Sequence, residues 1–243
     1  QIMVINIQAF QKDAGEKLLS GTPPHPDFFS GHLSYAGRGV IRTLIAGDFS
    51  ARLGQGTGIN TGIRTGLSLT ASGYLSGRDQ IKPYTSTDEN NFLRGAAAEF
   101  ALKKLGLTLF FSRNSIDATT RLSDDSATLT VDNFYKTGLH NTSSLMMKKD
   151  VVTELFYGMN ITYNFSFLRL GFNWSESRFS IPVISDKSNP EDLYDFGGDR
   201  NVILSVYYNS LINRILFYGE FSSGYSRHFA LVQGITIRPS DRL

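Results

Sequence analysis

Four histidines, His25, His32, His140 and His228, are the obvious candidates for chemistry, and their spacing limits what they can do. None forms the i, i+4 pair of a zinc-binding helix or another close metal-ligand spacing, and His25 sits between prolines. No metal site is expected. His32 and Ser34 are two residues apart, so on a strand they share a face and can approach each other as base and nucleophile. The plainer reading is two polar residues on an interior face. Carboxylates gather at Asp124 and Asp125 and in PEDLYDFGGDRN, Pro190 to Asn201. Loop carboxylates can hold calcium, but the EF-hand spacing is missing, so these read as solvated loops. GQGTG, Gly54 to Gly58, lacks the GK[ST] ending and the following helix of a phosphate loop, and reads as a strand end where backbone approaches closely. There is no cysteine, which excludes thiol catalysis, a cysteine-ligated metal and disulfide staples. The expectation is no catalytic constellation, no cofactor and no enzyme.

What elements hold these residues follows from composition and periodicity. The 243 residues suit one all-β domain. They include 18 Phe and 11 Tyr, yet 19% of residues are charged and the mean hydropathy is only −0.15. No apolar run approaches the roughly 18 residues of a membrane-spanning helix. The net charge of +2 comes from scattered Lys and Arg, without the basic footprint that nucleic-acid binding needs. The chain starts QIMVINIQ, so a mature chain or a segment of a longer protein is expected.

A period of two dominates. Leu155, Tyr157, Met159, Ile161, Tyr163 and Phe165 alternate with Glu154, Gly158, Asn160, Thr162, Asn164 and Ser166, with Phe156 the exception. After a tight turn near Phe167, Leu168, Leu170, Phe172 and Trp174 alternate with Arg169, Gly171, Asn173 and Ser175. That is a hairpin of strands about ten residues long. Similar alternation runs from Ile41 to Leu53, from Ile59 to Ser72, through Val202 to Tyr208, from Ile215 to Ser222 and from Phe229 to Arg238. Weaker strands fit Ile2 to Phe10, Leu33 to Gly37, Ala97 to Lys103, Leu107 to Arg113 and Ala127 to Asn133, about a dozen in all. One short helix fits Asp13 to Leu19. Short turns near Gly37 to Gly39, Lys104 to Gly106, Ser166 to Phe167 and Ser210 to Asn213 alternate with long polar stretches: 11–30, 73–91, 115–126, 137–150 and 179–200.

Long loops at one end and tight turns at the other are the asymmetry of outer-membrane barrels. A strand-built protein crosses lipid only as a closed barrel, with apolar faces outward and polar faces inward. Tyr157, Tyr163, Trp174, Tyr207, Tyr208 and Tyr225 suit the aromatic girdles of such a barrel. The polar phases carry Arg42, Asp48, Arg52, Arg64, Glu99, Glu154, Arg169, Arg214 and Glu220, which are expected to form a lumen-facing charge network. Its structural role is to fill and rigidify the interior through Arg–carboxylate hydrogen bonds; the functional alternative is to line a pore.

Five segments carry a family resemblance: GDFSARLGQG (Gly47 to Gly56), IKPYTSTDENNFLRGAAAEF (Ile81 to Phe100), LTLFFSRNSIDATT (Leu107 to Thr120), TGLHNTSSLMMKKDV (Thr137 to Val151), and LFYGEFSSG with ALVQGITIRPSDRL. In content and order they resemble large outer-membrane barrels of Bacteroidota, in particular a family whose barrel follows an N-terminal helix-hairpin-helix region. The resemblance covers roughly a third of the chain and implies a place, the bacterial outer membrane, and a fold; it implies no activity. The helix-hairpin-helix region is absent here, as is a terminal aromatic strand signal, so a segment of a larger barrel is expected.

The sequence thus predicts an all-β, antiparallel transmembrane β-barrel, one domain over 1–243 or part of one. Short periplasmic turns and long outer loops go with a non-enzymatic role in transport, channel formation or envelope assembly. Membrane lipid and other envelope proteins are the expected partners. Two rival readings fit the same residues: a barrel enzyme with a rim site near His32 or His140, and a soluble β-rich binding module.

Overall fold

The computed structural model describes residues 1–10, 28–61, 80–86, 91–122, 128–135, 140, 142–184, 195–224 and 228–237. These residues form 14 strands of one sheet: β1 (Ile2–Phe10), β2 (Phe28–Ala36), β3 (Ile41–Leu53), β4 (Ile59–Asn60), β5 (Gln80–Pro83), β6 (Leu93–Leu102), β7 (Leu105–Ile116), β8 (Ala118–Leu122), β9 (Leu129–Phe134), β10 (Val152–Asn164), β11 (Leu168–Val183), β12 (Gly198–Ile212), β13 (Ile215–Gly224) and β14 (Phe229–Ile237). One helical turn, α1 (Ser143–Met146), precedes β10. The continuous path is β1-β2-β3-β6-β7-β10-β11-β12-β13-β14, antiparallel throughout. Off it, β4 and β5 pair with β3, β8 pairs with β9, and β9 touches β11 through one parallel bridge. The sheet is open: β1 and β14 are its edges and are not paired with each other. The all-β, antiparallel expectation holds, and the strand number exceeds the dozen read from sequence.

Periodicity and register agree on the faces. One row of directly opposed residues runs across the whole path: Ile2, Ala36, Thr43, Glu99, Thr108, Asn160, Asn173, Ser205, Ser222 and Ala230. Its central members are polar and buried, Asn160 and Asn173 at 2% and 1% exposure. The next row is Met3, Tyr35, Leu44, Ala98, Leu109, Met159, Trp174, Leu204, Ser223 and Phe229. Met3, Leu44, Leu109, Leu204 and Phe229 in that row are exposed. Over β10 to β13 the sheet therefore buries a polar face and exposes an apolar one, the reverse of a domain folded around an oily core, while the concave side of β3, β6 and β7 carries a buried apolar cluster. Hydrogen bonds from the β3–β4 connection to β12 and β13, across four and five intervening strands, make this face concave.

Strand tilt is legible in the same row. Ala36 ends β2, whereas Glu99 lies three residues before the end of β6, Asn160 four before the end of β10 and Ser205 seven before the end of β12. The short turns descend stepwise relative to the row, as they must when strands cross the line of turns obliquely. Two turns contain just two residues. Leu102 pairs with Leu105 across Lys103–Lys104, and Ile212 with Ile215 across Asn213–Arg214. Lys103 and Asn213 take φ of 54° and 55°, the left-handed first position that two-residue hairpin loops favour.

Several boundaries differ from the sequence reading. Phe28 to Ser30 extend β2 into the expected loop, because Phe28 packs edge-on against Phe92 beside Tyr84. β8 occupies the middle of the expected 115–126 loop, where Ala118, Val131 and Val152 make a small buried cluster. β11 and β12 also extend into the expected 179–200 loop. The expected helix from Asp13 to Leu19 and most of the strand from Ile59 to Ser72 lie outside the described residues. Phe156, the apolar exception on a polar phase, packs with Phe110 against an interior cluster that includes Phe49, Leu53 and Leu93.

On the concave face, aromatic rings cover glycines of neighbouring strands. A Cβ on Gly171 would lie 2.0 Å from Tyr207 Cζ, whereas one on Gly39 meets nothing within 4 Å. Gly171→Ala is therefore expected to cost about 1–3 kcal/mol by forcing the Tyr207 ring aside, with Gly39→Ala near neutral. Denaturant unfolding of the two variants beside the parent checks the contrast.

Candidate functional site

A chain of side-chain hydrogen bonds crosses the concave face. Asn160 on β10 donates through Nδ2 to Asn173 Oδ1 (2.7 Å) and to Tyr207 Oη (2.8 Å). Asn173 on β11 donates to Ser205 Oγ on β12 (2.9 Å), and Ser205 donates to Glu220 Oε1 on β13 (2.7 Å). These residues face one another because they are registered partners or diagonal neighbours on one face. The carboxylate of Glu220 is the end of the chain, 1% exposed.

Its other oxygen holds the β3–β4 connection. Gln55 and Thr57 donate their backbone N–H groups to Glu220 Oε2 at 2.7 and 3.1 Å. Thr57 Oγ1 hydrogen-bonds Ser222 Oγ, and Gln55 Nε2 donates to Asn209 Oδ1 (2.9 Å). Gly54 and Gly56 adopt φ of 67° and 85°. A Cβ at Gly54 would sit 2.9 Å from both Glu220 carboxylate oxygens, so glycine serves both the backbone conformation and the close approach. GQGTG is thus a strand end in close backbone approach, and what it approaches is a buried carboxylate. The loop fills part of the space a pore would need.

The nine charges read as an interior network separate into groups. Glu220 is central. Glu99 lies on the concave face, where Thr43 Oγ1 donates to it at 3.2 Å. Glu154 and Arg169 share that face, registered opposite Asn114 and Asn164. Asp48 is 2% exposed but is engaged by Arg94, with Nε on Oδ1 at 2.8 Å and Nη2 on Oδ2 at 3.1 Å, and by the Gly31 N–H at 3.1 Å. Asp48 alternates with Phe49 of the interior cluster and is registered opposite Arg94, so it stands on the outward side of β3, contrary to the expectation, and three further positions depart from it. Arg42 is exposed beside the β2–β3 turn, its Nη1 on the Arg38 carbonyl (2.9 Å); a register shift between Ile41 and Thr43 resets the phase there. Arg214 is exposed in the two-residue β12–β13 turn. Arg52 alternates with buried Ala51 and Leu53 and so lies on the other side of its strand, reaching the Gln55 carbonyl at 3.5 Å. Arg64 lies outside the described residues.

Of the aromatic set, Tyr157, Tyr163, Trp174 and Tyr208 occupy the apolar face by register. Tyr207 does not: it is 1% exposed on the concave side. Tyr225 lies outside the described residues. His32 is buried on the concave face. His140 is held by Asp117, Nε2 to Oδ2 at 2.8 Å, while Asp117 Oδ1 accepts the Asp150 N–H at 2.9 Å. Asp117 is thereby the clamp between three connections at the long-loop end. Asn160, Asn173, Ser205, Ser222, Gln55 and Thr57 escaped a search restricted to charged and nucleophilic types. Their signal was the Asn- and Ser-rich polar phase.

Glu220→Ala strips the acceptor from the Gln55 and Thr57 N–H groups and the Ser205 hydroxyl. At about 1–3 kcal/mol for each buried donor left unsatisfied, a loss of about 3 kcal/mol is expected on denaturant unfolding, with Glu220→Gln costing less because one acceptor oxygen remains. Comparison with known proteins finds no family model, no curated protein and no solved structure that matches the chain.

Proposed function

We propose that the chain is the membrane-spanning β-barrel of a bacterial outer-membrane protein, or a segment of a larger barrel, and that it is not an enzyme. Its role is in envelope transport or assembly, with membrane lipid and other envelope proteins as partners, in keeping with the Bacteroidota barrels that its segments resemble. The observation that carries this reading is the pair of adjacent register rows, one polar and buried, the next largely apolar with its large side chains exposed. A water-soluble monomer rarely leaves a contiguous apolar face of this extent, whereas lipid is the solvent such a face requires. Lipid also forbids unpaired strand edges. β1 and β14 run antiparallel to one another, since strand direction alternates along a path with an even number of members, so their edges are compatible in direction with closure.

The Glu220-anchored loop favours a closed interior over an open pore. The chain is expected to require detergent for extraction and to migrate anomalously on gels until heated; a monomer that stays in solution without detergent overturns the membrane reading. In planar bilayers the parent is expected to be electrically quiet, and Glu220→Ala to open conducting events by releasing the loop. Steady conductance by the parent overturns the closed interior.

A further inference from the structure

Arginine lies on the apolar face as well as in the interior. Register aligns Arg113 on β7 with Leu155 on β10, Arg178 on β11 and Arg200 on β12, one row of the outward phase, and Arg94 on β6 lies just before Gly95, which pairs with Ser112. Arg113 is the ninth residue of β7 and Arg178 the eleventh of β11, counting Leu105 and Leu168 beside the short turns as first. A strand crosses hydrocarbon in about 9–11 residues, so these side chains stand at the far margin of the apolar face. Arg94 is committed to Asp48. Arg178 and Arg200 share one carboxylate, Glu176, at 2.7 and 2.9 Å. Arg113 is exposed and has no ion-pair partner among the described residues. Among the described residues, Arg113 is thus the member of this group with no carboxylate beside it.

Directly below the row, on the same face, is an apolar groove of about 650 Å³. Ala46, Ala96 and Ala98 contribute to its lining with Leu33, Phe111 and Trp174. Ala96 is two residues from Arg94 along β6 and Phe111 two from Arg113 along β7, about 7 Å in each case. Arg94 and Arg113 thus lie just beyond the residues that line the groove.

We propose that this groove and the Arg113 side chain bind an anionic phospholipid, one acyl chain against the alanines and the net-negative headgroup on Arg113, with the flanking arginines adding to the field. Charge complementarity selects this occupant: a zwitterionic lipid satisfies the groove but not the row, and a free anion the row but not the groove. The proposal rests on the membrane reading above.

The test uses the full chain in non-ionic detergent. Phosphatidylglycerol and phosphatidylcholine with identical dioleoyl chains are titrated separately, adducts are counted by native mass spectrometry, and inorganic phosphate forms a third arm. Phosphatidylglycerol is expected to bind about five-fold more tightly than phosphatidylcholine, the scale of one basic side chain at an anionic lipid surface. Arg113→Gln should abolish that preference. Ala96→Phe, or the milder Ala98→Leu if the first folds poorly, should weaken both lipids while retaining the preference, and phosphate alone should leave no adduct. Equal binding of the two lipids by the parent, a preference that survives Arg113→Gln, or phosphate binding as well as the lipid overturns the site. Insertion into dioleoyl vesicles separates the two levels: a chain that inserts but does not discriminate loses the lipid site alone, and one that stays in solution loses the membrane reading too.

Discussion

The buried carboxylate of Glu220 constrains much of the concave face. An ionised carboxylate only accepts hydrogen bonds, and removed from water it must find donors or shed its charge. Here the donors come from two directions. Ser205 belongs to the neighbouring strand, and Gln55 and Thr57 belong to a loop from across the sheet. The first fixes the face of β12, since Ser205 and the buried Tyr207 must point inward together. The second fixes the depth of the loop, and with it the glycines at 54 and 56. The last turn of β3 is therefore shaped by a residue more than 160 positions away.

A second constraint acts on the opposite face. Over β10 to β13, where polar side chains fill the concavity, the apolar phase lies on the other face, and its height above the short turns becomes the relevant coordinate. Charges are sorted by that height as well as by face. Arg42 and Arg214 sit at the turns, Arg113 and Arg178 about ten residues further along. Between them the outward phase holds residues such as Leu105, Leu109, Ile161, Leu170 and Phe172.

Much of this was legible from period two alone. The hairpin of β10 and β11, the reach of β3 from Ile41 to Leu53 and the polar phase of β12 and β13 follow from alternation. Even the Phe156 exception has a place, against Phe110. What alternation could not supply was the fate of individual charges. Assigning each Arg to the interior by type misplaces Arg42, where a bulge resets the phase, and Arg214, which belongs to a turn too short to show itself. Arg94 stayed hidden because β6 begins at Leu93, four residues before the alternating stretch that announces it. The loop insertion had only a composition signal, three glycines alternating with Gln55 and Thr57, and its partner lies at long range in sequence. Non-local contacts of that kind leave no local periodicity.

Filling the interior also shifts where specificity can reside. A side chain on the concave face is surrounded by registered neighbours that already satisfy it, as Asn160 is by Asn173 and Tyr207, so a ligand there would have to displace bonds that hold the sheet in shape. The outward face carries no such obligation. Its floor of alanines leaves room, and Arg113 has no carboxylate to leave among the described residues. Selectivity built on that face costs the fold little, because the network that sets the strand registers lies on the other side.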